Sequence, residues 1–333
     1  MMRPICLALV LALGAPFAAR AQEATEIKCA TVAPDGSTWM DVLEKANKDL
    51  YRKSRGRVKF KFYAGGIQGE EKAVLEKMRY DQLQAGGFTG SGLGEIVPET
   101  RILEVPLLYR NYEEYDHVLA QLSPEFNTKF EAAGYVVLGW AEGGFANFMS
   151  QEEISTVADL RKAKVWVRAG DPLFELSLKT MGNQPVPLAL QDVLTSLQTG
   201  HVSTVYISPL AAIALQWYPH LRFRADVPIM NITAAMLLKK DTYEKLSEKD
   251  RAALKETVNE NLGELVRRTR ADNEESKKIL EEKGVKTIPF PAAEQAELDR
   301  VAEEISQDLV GKLYDQALLD RVKGLLAEYR KNH

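Results

Sequence analysis

Residues 164–209 read KVWVRAGDPLFELSLKTMGNQPVPLALQDVLTSLQTGHVSTVYISP, and the alternation in this stretch sets the architecture. Its two ends, Lys164 to Arg168 and Val202 to Ile207, are short runs rich in β-branched and aromatic residues, the composition of strands. Between them, Leu173 to Met181 and Leu188 to Leu197 place apolar residues at helical spacing. Strand, helices and strand again, with short connections, form the unit of an α/β protein. The alternation continues outward. Strands are expected at 27–33, Val58 to Tyr63, Gln84 to Thr89 and Tyr135 to Trp140. Amphipathic segments lie between them, among them Thr38 to Ser54 and Gly69 to Leu83. The pattern predicts an α/β chain with largely parallel sheets.

Toward the C-terminus the pattern changes. Ser247-Glu248-Lys249-Asp250 is a helix start, because the serine can cap and the acids suit the positive helix end. Leu254, Val258, Leu262 and Val266 follow at helical spacing, and Arg267 to Lys278 is nearly all polar. Such a helix either bridges two domains through solvent or lies solvated on one surface. Gly284 ends it, and a strand is expected at Val285 to Phe290. Two helices, Ala292 to Leu309 and Tyr314 to Arg330, finish the chain.

The N-terminus reads as an address. Arg3 supplies a positive start, Ile5 to Ala15 is almost wholly apolar, and Ala19-Arg20-Ala21 places small residues where a signal peptidase reads. That order is a secretory signal, and its apolar run falls short of the ~20 residues a membrane-spanning helix needs. Cleavage is expected after Ala21, which makes 1–21 a signal peptide and the rest an exported, periplasmic chain of two-domain length. The whole chain has a net charge of −4 at pH 7. The signal holds basic residues and no acids, so the exported part is more acidic still. Nothing clusters Lys and Arg as nucleic acid would require. Only Cys29 remains after cleavage, so no internal disulfide forms, and its place is a buried strand over Ile27 to Val32.

Catalytic signatures are missing. His117, His201, His220 and His333 share no motif with a second ligand at zinc spacing. No HExxH, GxSxG, CxxC or Walker lysine occurs. No metal, no cofactor and no enzyme is therefore expected, although paired carboxylates leave no signature in sequence. The run Gly86 to Gly94 lacks the GK[ST] and GxGxxG orders of nucleotide loops. It reads as a strand end where small residues admit a ligand to backbone N–H groups, or as an ordinary turn.

Specific motifs then appear. They are Asp159-Leu160-Arg161-Lys162-Ala163-Lys164-Val165-Trp166-Val167, Gly182-Asn183-Gln184-Pro185-Val186-Pro187, Asp192-Val193, Leu197-Gln198-Thr199-Gly200 and Pro209. Together they resemble the substrate-binding subunits of tripartite ATP-independent periplasmic (TRAP) transporters, the DctP family. Gly65-Gly66 to Glu71, Val105-Pro106-Leu107-Leu108-Tyr109 and Leu246 to Arg251 agree, so the likeness covers nearly the whole exported chain. It implies a two-domain periplasmic binding protein fold. Two α/β domains would flank a cleft, joined by hinge strands and a long domain-spanning helix, and close on a small-molecule ligand destined for a membrane permease. On that plan domain I takes 22–145 plus about 230–272, and domain II takes 146–229 plus about 273–333.

The departures bear on the ligand. The resemblance implies a carboxylate-binding arginine at the seventh position after Asp159, where this chain has Trp166. It implies a second arginine in a Gly-x-Arg setting, where Gly143-Gly144-Phe145 places Phe145. The asparagine before the proline is Ser208, and Val-Asp-Gly has become Val202-Ser203-Thr204. A buried carboxylate needs a cation and hydrogen bonds to replace its hydration, which a bidentate guanidinium supplies and an aromatic ring does not. Aromatic rings supply apolar contact instead. The exchange predicts an apolar or bulky ligand and resembles the subgroup that works with a periplasmic tetratricopeptide-repeat protein. A second reading stays open. Lys164, Trp166 and Arg168 share one strand face, so Arg168 is placed to act as a displaced anion clamp.

The candidate ligand-binding residues are thus Trp166, Phe145, Arg168, Tyr206 and Ser208, with Phe88 and Thr89 facing them from the first domain. Trp140 and Asn147 are further candidates. Each aromatic among them could equally belong to the core. Trp217-Tyr218 is expected on a surface or partner-facing turn. A periplasmic enzyme and a docking scaffold without a ligand are the remaining classes.

Overall fold

The N-terminal β-rich runs pair in parallel, because a helix returns the chain to the same end after each. In this computed structural model, which describes residues 24–333, β1 (Thr25–Thr31) lies between β2 (Val58–Tyr63) and β3 (Ala85–Thr89). The expected signal peptide falls outside the described residues. The connections are α1 (Thr38–Lys53) and α2 (Glu71–Arg79). Ser37 caps α1 by accepting from the Met40 N–H, and Met40, Val42, Leu43, Ala46 and Leu50 form its buried stripe. Cys29 is fully buried in β1, and burial pushes its thiol up to about 12.

Next come α3 (Gly90–Gly94), a 3-10 segment at Pro98–Glu104, and α4 (Tyr112–Ala132). The α4 stretch carries no expected element, yet Tyr115, Val118, Leu122, Phe126 and Phe130 line its buried face at helical spacing. β4 (Tyr135–Ser150) was expected to end at Trp140 and instead runs ten residues further. The second half contains α5 (Val157–Lys162), β5 (Trp166–Arg168), α6 (Pro172–Thr180), β6 (Val186–Leu188), α7 (Val193–Thr199), β7 (Thr204–Ile207), α8 (Pro209–Ala214) and β8 (Phe223–Ala225). Return to the first half is by β9 (Met230–Lys239), followed by α9 (Lys240–Lys245) and α10 (Glu248–Glu282). β10 (Lys286–Ile288), α11 (Gln295–Asp308) and α12 (Gln316–Asn332) end the chain.

The strand order is β10-β8-β4-β9-β3-β1-β2, with β7 also on β4 and a separate β5–β6 pair. Parallel pairing holds toward the two ends, in β1–β2, β1–β3 and β8–β10, and in the separate β5–β6 pair. The centre departs from the largely parallel expectation. There β9 is antiparallel to both β3 and β4, and β4 is antiparallel to β7 and β8. The reason is that β4 and β9 carry the chain from one half to the other and back, so they run in opposite senses.

Ser247 caps α10 by accepting from the Asp250 N–H, as expected. The polar stretch of α10 is not simply solvated, since Thr269, Asn273 and Ser276 are buried. Asn273 accepts from the Leu210 N–H of α8 at 3.0 Å and donates to the Gly143 carbonyl of β4 at 3.2 Å. The long helix thus joins the halves through direct hydrogen bonds of the buried Asn273 rather than through solvent. α12 lies on α4, where Arg330 pairs with Glu114 at 2.7 Å and Arg321 with Glu125 at 2.8 Å.

Gly144 sits at this junction with φ +83°, and a Cβ there would come within 2.2 Å of the Asn273 Nδ2. Gly144→Ala is expected to lower unfolding free energy by about 3 kcal/mol, from the left-handed backbone and the displaced amide together. Urea unfolding of residues 22–333 measures it. A loss below about 1 kcal/mol would mean that α10 yields without breaking its bonds to β4.

Candidate functional site

A cleft of about 380 Å³ lies between the two halves. One wall is the segment entering α1 together with the end of β3. The other comes from β5, the end of β7 and α8. Val32, Pro34, Trp39, Ile213, Leu215 and Met230 make the lining largely apolar, while four charged side chains, Arg101, Glu104, Arg168 and Asp171, border it.

The two arginines differ in their engagement. Arg101, only 3% exposed, projects from the 3-10 segment. Its Nη2 donates to both Asp171 carboxylate oxygens at 2.9 and 3.0 Å, and its Nη1 lies 2.9 Å from Glu104 Oε2. Asp171 in turn caps α6 by accepting from the Leu173 and Phe174 N–H groups. Glu104 accepts from the Thr233 N–H at 2.8 Å. Burial raises Glu104 to about 7; Arg101 opposes the rise and Asp171 adds to it.

Arg168, at the end of β5, is held loosely. Its Nη1 stands 3.5 Å from Glu71 Oε2 and 3.8 Å from Glu70 Oε2. The Thr89 hydroxyl is also 3.5 Å away, at the outer limit of a hydrogen bond. Glu71 is already satisfied, accepting from the Thr89 N–H at 2.8 Å, the Thr89 hydroxyl at 3.0 Å and the Gly92 N–H at 2.7 Å. Burial holds the Glu71 carboxyl above its ordinary range in spite of Arg168 and these donors.

The glycine run has a different use from the one expected. Gly87 and Ser91 do line the cleft, but a Cβ on Gly90 would come within 1.9 Å of Glu104 Oε2 and one on Gly92 within 2.7 Å of Glu71 Oε2. These two glycines admit the protein's own buried carboxylates, not a ligand.

Six of the expected residues, Trp166, Arg168, Tyr206, Ser208, Phe88 and Thr89, border the cleft. Trp166 is 3% exposed, stacks on Tyr206 at 5.1 Å, and donates its indole N–H to the Leu188 carbonyl at 3.1 Å. Tyr206 stacks in turn on Phe174 at 3.6 Å. Trp217 corrects an expectation: it is 2% exposed and meets Trp166 edge-on at 5.4 Å, because the aromatic cluster draws it inward from its turn. Ser208 is fully buried and caps α8.

Three expected residues lie off the cleft lining. Phe145 packs on Tyr112 at 5.0 Å, since a register shift between Glu142 and Gly144 offsets the alternation of β4 and leaves Gly143 as its contribution to the cleft. Trp140 packs against Phe126 and Phe130 and donates to Asn127. Asn147 donates to the Ala225 and Val227 carbonyls, a structural bridge. The sequence reading misses Arg101, Glu104, Glu71, Asp171 and Trp39. Only Asp171 had a local signal, as a capping residue before a proline at the first helical position. Among the described residues no group of His, Cys, Asp and Glu is placed to hold a metal ion.

Known proteins agree with this architecture. A sequence profile of the DctP family, bacterial extracellular solute-binding proteins of family 7, matches residues 29–312, and the chain belongs to that family. A solute-binding protein of Verminephrobacter eiseniae is 29% identical over 252 residues, 72% of each chain. A TRAP periplasmic solute-binding protein from Xanthobacter autotrophicus, solved with bound β-D-galacturonate, superposes with a TM-score of 0.83 at 18% identity. The match covers 90% of this chain and 99% of that one. One from Desulfovibrio salexigens, with bound orotic acid, gives 0.84 at 17% identity, covering 91% and 99%. These relatives are solute-binding proteins, and among the described residues no helix is long and apolar enough to cross a membrane.

The raised Glu104 carboxyl has a consequence for stability. The folded protein holds a proton there up to about pH 7, whereas the ordinary value is 4.5, so stability is lost as pH rises between the two. Glu104→Gln, which cannot ionise, is expected to match the parent near pH 4.5 and to be relatively more stable near pH 8. Urea unfolding at the two pH values measures the difference, and a difference independent of pH would place the Glu104 carboxyl in its ordinary range.

Proposed function

We propose that this protein is the periplasmic substrate-binding subunit of a TRAP transporter, and that it captures a small carboxylate whose acid group pairs with Arg168 and whose body packs on apolar walls. The observation that carries the proposal is the inequality of the two cleft arginines. Arg101 is closely paired with two acids, whereas the nearest carboxylate oxygen to Arg168 is 3.5 Å away. A ligand carboxylate would give Arg168 the short charge-assisted bonds that Glu70 and Glu71 do not. The ligands named for the Xanthobacter and Desulfovibrio proteins, galacturonate and orotic acid, are both carboxylates, which favours this chemistry.

A wholly apolar ligand is less well supported than the two aromatic replacements imply. Phe145 packs away from the cleft, and Trp166 is stacked on Tyr206 with its N–H already engaged. The apolar lining suits the ligand's body rather than a ligand without charge. We infer that 22–145 with about 230–272 and 146–229 with about 273–333 close on each other about β4, β9 and α10, except that α12, which rests on α4, moves with the first of these bodies. The partner is then a membrane permease. Nothing in the geometry singles out a tetratricopeptide-repeat protein.

The test begins with protein exported to its own periplasm, by native mass spectrometry and organic extraction. A carboxylate is expected. Arg168→Gln should bind the extracted molecule about 100-fold more weakly, since truncating one partner of a buried charged pair costs that much or more. Its melting temperature without ligand should stay close to the parent's. A co-purified molecule that lacks an acid group and is retained by Arg168→Gln would overturn the proposal.

A further inference from the structure

We propose that Asp171 and Glu104 are specificity-determining residues: by occupying Arg101 they restrict the cleft to ligands with a single carboxylate and exclude dicarboxylates. The inference rests on the carboxylate reading and narrows it. Two guanidiniums bordering one small cleft would suit a diacid if both were free, and they are not. Arg101 has Nη2 on both oxygens of Asp171 and Nη1 beside Glu104. Its Nε has no hydrogen-bond partner, and its aliphatic stem packs on Gly94.

Neither acid can swing aside without cost. Asp171 also holds the first N–H groups of α6, and Glu104 holds the Thr233 N–H while seated against Gly90. Displacing either would leave a buried backbone donor unpaired. The Arg168 side offers no second cation, because Glu71 and Glu70 stand beside that guanidinium. Four acids, Glu70, Glu71, Glu104 and Asp171, already face the two arginines. A second ligand carboxylate would therefore meet either the apolar wall or a fixed charge of its own sign. Both arrangements disfavour it strongly.

The discriminating experiment uses ligand-stripped exported protein at pH 8, titrated with matched acids up to about 20 mM, a range that captures weak binding. The pairs are hexanoate with adipate, phenylacetate with 4-carboxyphenylacetate, and galacturonate with galactarate. Calorimetry and the fluorescence of the cleft residues Trp39 and Trp166 report binding. The parent is expected to bind at least one monoacid, and its matched diacid ~100-fold more weakly or worse. Asp171→Asn keeps an oxygen for the α6 cap while releasing one side of Arg101, and should narrow that ratio to ~10-fold or less. Glu104→Gln gives the same narrowing as a second variant if Asp171→Asn does not fold.

Equal binding of a monoacid and its diacid by the parent would overturn the specificity role and leave the carboxylate reading intact. An unchanged ratio in a folded Asp171→Asn would do the same. Binding of hexanamide as tight as that of hexanoate, or no binding of any monoacid in the set, would overturn the carboxylate reading and this inference with it.

Discussion

A guanidinium withdrawn from water must be neutralised at close range, and the Arg101 side chain imposes that requirement on everything around it. Its desolvation costs several kcal/mol, recovered only through well-placed carboxylates whose remaining lone pairs are also satisfied. The surroundings meet each condition with a separate piece of local structure. Asp171 is both counter-ion and helix cap, and Glu104 places a carboxyl oxygen beside Arg101, a counter-ion once it ionises above about pH 7, while accepting a strand N–H. Gly90 and Gly94 lack the side chains that would otherwise fill the space of Glu104 and of the Arg101 stem. Because Arg101 comes from the first half and Asp171 from the second, the pair also spans the cleft.

The junction between the halves follows the same logic. Glu142 of β4 is 1% exposed; Arg270 of α10 neutralises it and Asn231 of β9 donates a hydrogen bond to it. Arg270 also pairs with Asp116 and lies over the Tyr112 ring at 4.3 Å. The three elements that pass between the halves are therefore tied to one another by a single polar network. This accounts for the composition of α10. Where it packs on α1 and β4 it presents Leu254, Val258, Leu262 and Leu265, and where it crosses the junction it presents Thr269, Arg270 and Asn273. An apolar crossing would have left Glu142 without its counter-ion and the Gly143 carbonyl without the Asn273 donor.

Much of this fold was legible in the sequence because the relevant information was local. Period-two and period-3.6 patterns located β1 to β3 and α1, and Ser247 marked the start of α10. The misread parts were those set by distant contacts. β4 continues past Trp140 through glycines and a glutamate that look like a turn, because bulges absorb them and β9 pairs alongside. Gly90 and Gly92 looked like a ligand loop because an approaching side chain fourteen or more positions away leaves no mark beside a glycine. Arg101, Glu71 and Glu104 looked like ordinary surface charges in a chain with 47 acidic and 43 basic residues. Their burial is a property of the assembled sheet, not of their neighbours in sequence.

The exchange at Trp166 then has a structural meaning that composition alone could not supply. The resemblance to carboxylate-binding relatives puts an arginine at that position, on the cleft face of β5. Here the indole fills the place, backed by Tyr206 and Trp217, and the cation lies two residues further along the same face. At the end of β5, Arg168 reaches Thr89, Glu70 and Glu71, all of which belong to the opposite half. A guanidinium at the centre of a wall is oriented by its own domain whether the cleft is open or shut. One at the rim is oriented by the facing domain, so its geometry is complete only when the halves meet. On the proposed closing of the halves, a positive charge at Arg168 rather than at position 166 would make the orientation of the cleft's loosely held cation depend on closure itself.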